Sequence, residues 1–141
     1  MIDLLRTRRS IRKFTCEPIA PEQRILLEEA LLRAPTSRGI NPTAFVMVDD
    51  KALLKDLARA KQSGGAFLAD APLGIVICAD PSLSDVWVED CSLTAIILHL
   101  TAHSLGLGSC WIQIRKRMHT PEITAEARIR ELLGIPDRLA V

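Results

Sequence analysis

Residues 91–114 carry no Asp, Glu, Lys or Arg, in a chain of 141 residues of which 25% are charged. Few structures admit so long an uncharged run. A membrane-spanning helix is one. However, Ser92, Thr94, His99, Thr101, His103, Ser104, Ser109 and Gln113 are scattered through it, and Gly106 and Gly108 interrupt it. The pattern predicts a helix over 85–105 buried on every side, a turn at Gly106, and a strand over 109–114. A helix that is apolar all round needs more cover than a chain this short provides. A second subunit is therefore expected against it.

The length suits one domain, and 48% apolar residues suffice for a core. A formal net charge of +1 and the absence of Tyr argue against a nucleic-acid protein. Cys16, Cys78, Cys91 and Cys110 are far apart, with no Cys-x-x-Cys pair. That spacing gives no zinc or dithiol signal. Cys78 and Cys110 read as buried small hydrophobes, and a reducing cytoplasm is the expected location. Met1 to Leu5 is too short for a signal-peptide core.

Other elements follow from periodicity and punctuation. Ile2 to Arg6 reads as a short helix. Pro21 suits the first position of a helix whose Leu27, Ala30, Leu31 and Ala34 form a core-facing stripe. Residues 35–42 read as a loop, 44–48 as a strand, 51–61 as a helix and 73–78 as a buried strand. Thr124 is placed to cap a helix through Leu133, closed by Gly134 and Pro136. Helices interleaved with at least three strands give a mixed α and β class.

Arg6, Arg8, Arg9, Arg12 and Lys13 crowd the segment 6–13 in a chain that is otherwise near neutral. Such local excess marks an anion site or a solvated basic turn. In an extended segment Arg8, Ser10 and Arg12 share one side. Two guanidinium forks and a hydroxyl suit a terminal phosphate. His99 and His103 stand i, i+4 on the predicted helix, a spacing that can hold a metal. No Glu follows His99, so the metalloprotease pattern fails. A core or interface pair is expected, and no metal. Ser109 has no nucleophile elbow. Gly106 and Gly108 make no dinucleotide fingerprint.

Four stretches occur in an order that resembles the nitroreductase family of FMN-dependent NAD(P)H oxidoreductases. They are Arg8-Arg9-Ser10-Ile11-Arg12; Ala34-Pro35-Thr36-Ser37 with Asn41-Pro42 and Phe45; Ala71-Pro72-Leu73-Gly74-Ile75-Val76-Ile77-Cys78; and Leu105-Gly106-Leu107-Gly108-Ser109-Cys110-Trp111-Ile112. The resemblance implies an α+β fold, with a central, mostly antiparallel sheet flanked by helices, built as an intertwined homodimer. It implies that Arg8, Arg9, Ser10 and Arg12 hold the FMN phosphate and ribityl end. Pro35, Thr36, Ser37, Gly39 and Asn41 match positions that meet the flavin of the opposite subunit. Trp111, Ile112 and Gln113 match the segment beside the isoalloxazine ring, Gln113 through its main-chain N–H near N5. Gly39 stands where the family has Asn, Asn41 where it often has Gln, and Thr43 where it has Trp.

The expected activity is hydride transfer from NAD(P)H through flavin N5 to a small-molecule acceptor, such as a nitroaromatic or quinone, in a ping-pong cycle. No side chain is expected to act as a catalytic acid or base. The alternative is a flavin- or nucleotide-binding protein without turnover. Expected partners are NAD(P)H, the acceptor and a second copy of the chain, with no nucleic acid and no membrane. Residues 1–141 read as a single FMN-binding domain. Leu139-Ala140-Val141 reads as the start of a strand, and the family's final strand and tail are missing from the sequence.

Overall fold

In the computed structural model the described residues are 1–15 and 17–141, so Cys16 lies outside them. Helix α1 spans Ile2–Thr7 and α2 spans Pro21–Arg33. Pro21 takes the first helical position, and the Ala20 N–H donates to Gln23 Oε1. Leu27, Leu31 and Ala34 are buried as the stripe predicts. Strand β1 covers Thr43–Val48, helix α3 Lys51–Leu57, and strand β2 Gly74–Ala79. Helix α4 is Trp87–Ser104, and α5 is Ala125–Leu133.

The two strands pair antiparallel, Thr43 opposite Ala79 and Val48 opposite Gly74. On its other side Ala79 exchanges both backbone hydrogen bonds with Ala140. The core lies where this sheet meets α3 and α5. Val48, Leu54, Leu57, Ala60, Cys78, Ile129 and Ile135 pack together there. Gly74 fits tightly at that point, because a β-carbon would stand 2.9 Å from Cδ2 of the buried Leu54, which would have to shift. The architecture is α+β, with helices around an antiparallel sheet.

Four expectations need correction. Helix α3 stops at Leu57 instead of running to Lys61. Its bonds tighten there to i→i−3 (Arg59 N–H to Asp56 O, Ala60 N–H to Leu57 O), and the chain turns so that Gln62 N–H reaches Met118 O. Residues 109–114 do not form a strand. A strand exists through its ladder, and here only Ser109 is bridged, to Ser10, so the sheet has two strands instead of three.

Helix α4 is also not uniformly apolar toward its own chain. Its buried residues are Asp90, Thr94 and Ala102, while Leu93 and Ile96 are exposed. The most buried side chains are polar or small, while Ile97, Leu98 and Leu100 are only partly buried. Cys110, expected to be buried, is half-exposed, whereas Cys78 is fully buried. Among the described residues, no helix is long and apolar enough to cross a membrane.

Candidate functional site

The basic segment leaves α1 as extended chain and lies against the turn that follows α4. Ser10 and Ser109 form a parallel bridge, with Ile11 N–H donating to Ser109 O at 3.0 Å. Thr7, Arg9 and Ile11 line a cleft of about 260 Å³ together with His99, His103 and residues 106–109. Alternate residues on one side is the period-2 arrangement that an extended segment imposes.

Arg8 and Arg12 take different neighbours. Arg8 is half-buried and donates Nε–H to His99 Nε2 at 3.0 Å. The Arg12 guanidinium lies 5.8 Å from the Phe67 ring centroid. Arg9 donates to the carbonyls of Arg6 and Arg8. Arg8, Arg9, Arg12 and Lys13 make no ion pair among the described residues. Four clustered cations without a carboxylate repel one another and favour an anion.

The histidines serve this segment. His99 accepts from Arg8 at Nε2, and its Nδ1 lies 2.6 Å from Ser109 Oγ. His103 Nε2 lies 2.8 Å from Thr7 Oγ1. Burial first, then the charges of Arg8 and His103, lowers the His99 pKa below its ordinary 6.5. Among the described residues, no group of three or more His, Cys, Asp or Glu is placed to hold a metal.

Trp111, Ile112 and Gln113 continue directly from the bridged Ser109. The Trp111 side chain is 51% exposed. Gln113 O accepts from Lys61 Nζ at 3.1 Å. The structure therefore brings Arg8, Arg9, Ser10 and Arg12 into one region with Trp111, Ile112 and Gln113.

The loop with Pro35, Thr36, Ser37, Gly39 and Asn41 sits elsewhere, at the start of α4. Ser37 N–H donates to Asp90 Oδ1 at 2.8 Å, and Arg38 pairs with Asp85 at 2.9 Å. Thr36 Oγ1 receives the Asn41 N–H and donates to Asn41 Oδ1, both at 3.0 Å. Arg38, Gly39 and Asn41 all have positive φ. Gly and Asn tolerate that region, while Arg38 adopts it at a cost. Asp90 and His99 are separated by about 14 Å along a helix that rises 1.5 Å per residue. The loop and Arg8 are thus anchored at two different levels of α4.

The sequence model described as Nitroreductase family matches residues 5–65 and 59–141. The chain belongs to the nitroreductase family. An FMN-dependent nitroreductase from Clostridium difficile R20291 superposes with a TM-score of 0.98 at 46% identity, over 100% of this chain and 82% of that one. An Archaeoglobus fulgidus relative is provisionally named NADH dehydrogenase/NAD(P)H nitroreductase. It is 35% identical over 99% of this chain and 79% of its own length. The NADPH-flavin oxidoreductase of Vibrio harveyi is 29% identical, over 99% of this chain and 61% of its own.

For a nitroreductase-family chain, the residues that fix the site are as informative as those expected to line it. His99, Ser109, Lys61 and Asp90 were not among the sequence candidates for cofactor contact. Asp90 is 2% exposed and also accepts from Ser84 Oγ. A buried carboxylate costs folding energy unless it is hydrogen-bonded. The available signal was Asp90, next to Glu89, at the head of a helix that carries no other acidic residue.

Proposed function

We propose that this chain is an FMN-dependent NAD(P)H oxidoreductase whose flavin sites form between two copies. The observation that carries this is the uncompensated Arg8-Arg9-Ser10-Ile11-Arg12 segment bridged to residues 109–113. It supports a cofactor with a phosphate at one end and a flat ring at the other. The donor set fits FMN. The three arginines and a serine hydroxyl suit its phosphate and ribityl chain. The segment 111–113, with Trp111 and Gln113 exposed, suits the ring edge.

In this reading Arg8, Arg9, Ser10 and Arg12 bind and orient the phosphate end. Trp111 and Ile112 flank the ring, and the Gln113 N–H faces N5. Lys61, by holding Gln113 O, fixes the peptide that follows, between residues 113 and 114. Pro35, Thr36, Ser37, Gly39 and Asn41 reach the flavin of the partner copy. FMN, when bound, would supply the hydride chemistry that links NAD(P)H to a nitroaromatic, quinone or similar acceptor in a ping-pong exchange. The protein contributes binding, orientation and exclusion of water, and no side chain is assigned as acid or base.

Two features support the paired arrangement. The loop 35–41 and Arg8 are anchored at different levels of α4, which suits a site completed by a second copy. The chain also exposes 8439 Å², against about 7,200 Å² for a 15.5 kDa monomer by the usual size scaling. Leu93 and Ile96 are among the exposed large apolar residues.

The test is anaerobic. Purified protein should be yellow, bleach with NADH or NADPH, and recover colour when menadione or nitrofurazone is added. Flavin that never bleaches would leave a binding protein without turnover. Apoprotein titrated with FMN and with riboflavin checks the phosphate contact. Arg8→Ala or Arg12→Ala should weaken FMN by about 1.5–3 kcal/mol, the scale of a hydrogen bond to a charged group, and leave riboflavin nearly unchanged.

A further inference from the structure

A hydroxyl and a guanidinium fix the protonation of the paired histidines on α4. Thr7 Oγ1 donates its single hydrogen to Asp3 O at 2.7 Å. Toward His103 Nε2, 2.8 Å away, Thr7 can only accept, so His103 carries its proton on Nε2. The opposite holds one turn earlier. Arginine has no acceptor, so the Arg8 Nε–H at 3.0 Å requires a bare His99 Nε2. Neutral His99 then carries its proton on Nδ1 and gives it to Ser109 Oγ at 2.6 Å.

This chain of bonds has a consequence for the donors at its ends. With Nε bound to His99, the guanidinium plane of Arg8 is held, and its Nη groups have no other partner among the described residues. With an acceptor lone pair of Oγ committed to His99, the Ser109 hydroxyl keeps its own hydrogen to give. Ser109 is also the residue bridged to Ser10. One imidazole thus presets two donors that come from opposite ends of the sequence.

We propose that His99 is a positioning residue of the cofactor site: it holds the Arg8 fork and the Ser109 hydroxyl ready for the phosphate and ribityl end of FMN. The role rests on the proposed Arg8–phosphate contact. His99 itself touches no cofactor atom. It works through Arg8 and Ser109, and His103 ties the same segment to α4 through Thr7.

Two replacements of His99 divide its contacts. Glutamine places an acceptor oxygen near the Nε2 position and can keep the Arg8 bond. Asparagine reaches only the Nδ1 position and can keep the Ser109 bond. Fluorescence titration of each apoprotein with FMN and riboflavin reads the outcome. His99→Asn should lose about tenfold in FMN affinity, with riboflavin changed much less. His99→Gln should retain most of the preference for FMN. In the cofactor-free native protein, long-range ¹H–¹⁵N spectra should show His99 protonated on Nδ1 and His103 on Nε2.

Equal losses for both ligands in His99→Asn, or no loss, would overturn the role. So would an Nε2-protonated His99. Arg8→Ala is the control that separates the two levels. If Arg8→Ala itself spares FMN, the phosphate assignment fails and the role of His99 goes with it. If Arg8→Ala lowers FMN selectively and His99→Asn does not, only the role of His99 fails.

Discussion

Ile11 lies so close over Gly108 that a β-carbon on residue 108 would stand 2.8 Å from Ile11 Cγ2 and 3.0 Å from its Cβ. The contact is what lets the basic segment lie flat on the turn after α4. It sits one residue from the Ser10–Ser109 bridge. Gly108→Ala should therefore push the segment off its seat. Overpacking at a tight contact typically costs about 1–3 kcal/mol. FMN affinity should fall along with thermal stability, and Ile11→Ala in the same chain should restore part of both. Thermal melts with flavin titrations check this. If Gly108→Ala behaves like the parent protein, the contact has no part in docking the segment.

Much of this arrangement was legible in the sequence because it depends on local signals. Pro21, Thr124 and Gly134 mark helix ends by backbone chemistry alone. Thr124 Oγ1 accepts the Ala127 N–H, and Gly134 has φ of 62°. The basic segment and the turn at 106–109 were visible as motifs. Their contact was not, because the Ser10–Ser109 bridge joins residues that no periodicity relates. The run 109–114 misled for a related reason. Its composition is that of a strand, but a strand also needs a neighbour, and sequence pattern does not supply one. The polar inward face of α4 was equally hidden, since Asp90 and Thr94 owe their burial to the loop at Ser37 and to the helix's own carbonyls.

Two thiols should be inert. Burial, the larger cause, pushes the Cys78 thiol up to about 11 and the Cys91 thiol up to about 12. Reaction with iodoacetamide requires the thiolate. At pH 8 the native protein should leave both unmodified for hours, while denatured protein labels both within minutes. Peptide mass mapping checks it. Prompt labelling of Cys78 in native protein would contradict its place in the core.

Acid should act on the seat of the basic segment through His99. The groups facing it are Arg8 from the extended segment, His103 one turn along α4, and the neutral Ser109. Burial and these positive neighbours lower its folded pKa below the ordinary 6.5. The unfolded chain then binds the extra proton first, so stability rises with pH through this window. The contribution is present above about 6.5 and is lost as pH falls through the folded value. In cofactor-free protein the His99 ring should titrate below 6.5 by NMR, and Arg8→Ala should move it upward. A His99 that titrates at or above 6.5 contradicts the burial and the Arg8 contact together.

Helix α4 should be the contact between two copies. Leu93 and Ile96 are 47% and 39% exposed, while Asp90, Thr94 and Ala102 of the same helix are buried. Large apolar side chains on the outside, with polar ones inside, suit a helix packed on both faces. The double variant Leu93→Glu, Ile96→Glu removes little from the chain's own core, so each copy should stay folded. Burying two carboxylates between copies is strongly unfavourable. Dimer dissociation should strengthen by at least about a hundredfold, which is roughly 2.7 kcal/mol. Because the loop 35–41 and the segment 8–12 lie at different levels of α4 in one chain, the variant should lose its flavin as it becomes monomeric. Sedimentation velocity and the flavin-to-protein ratio measure both. A variant that stays dimeric with full flavin would place the interface elsewhere. A monomer that keeps its flavin would show that one copy builds the site alone.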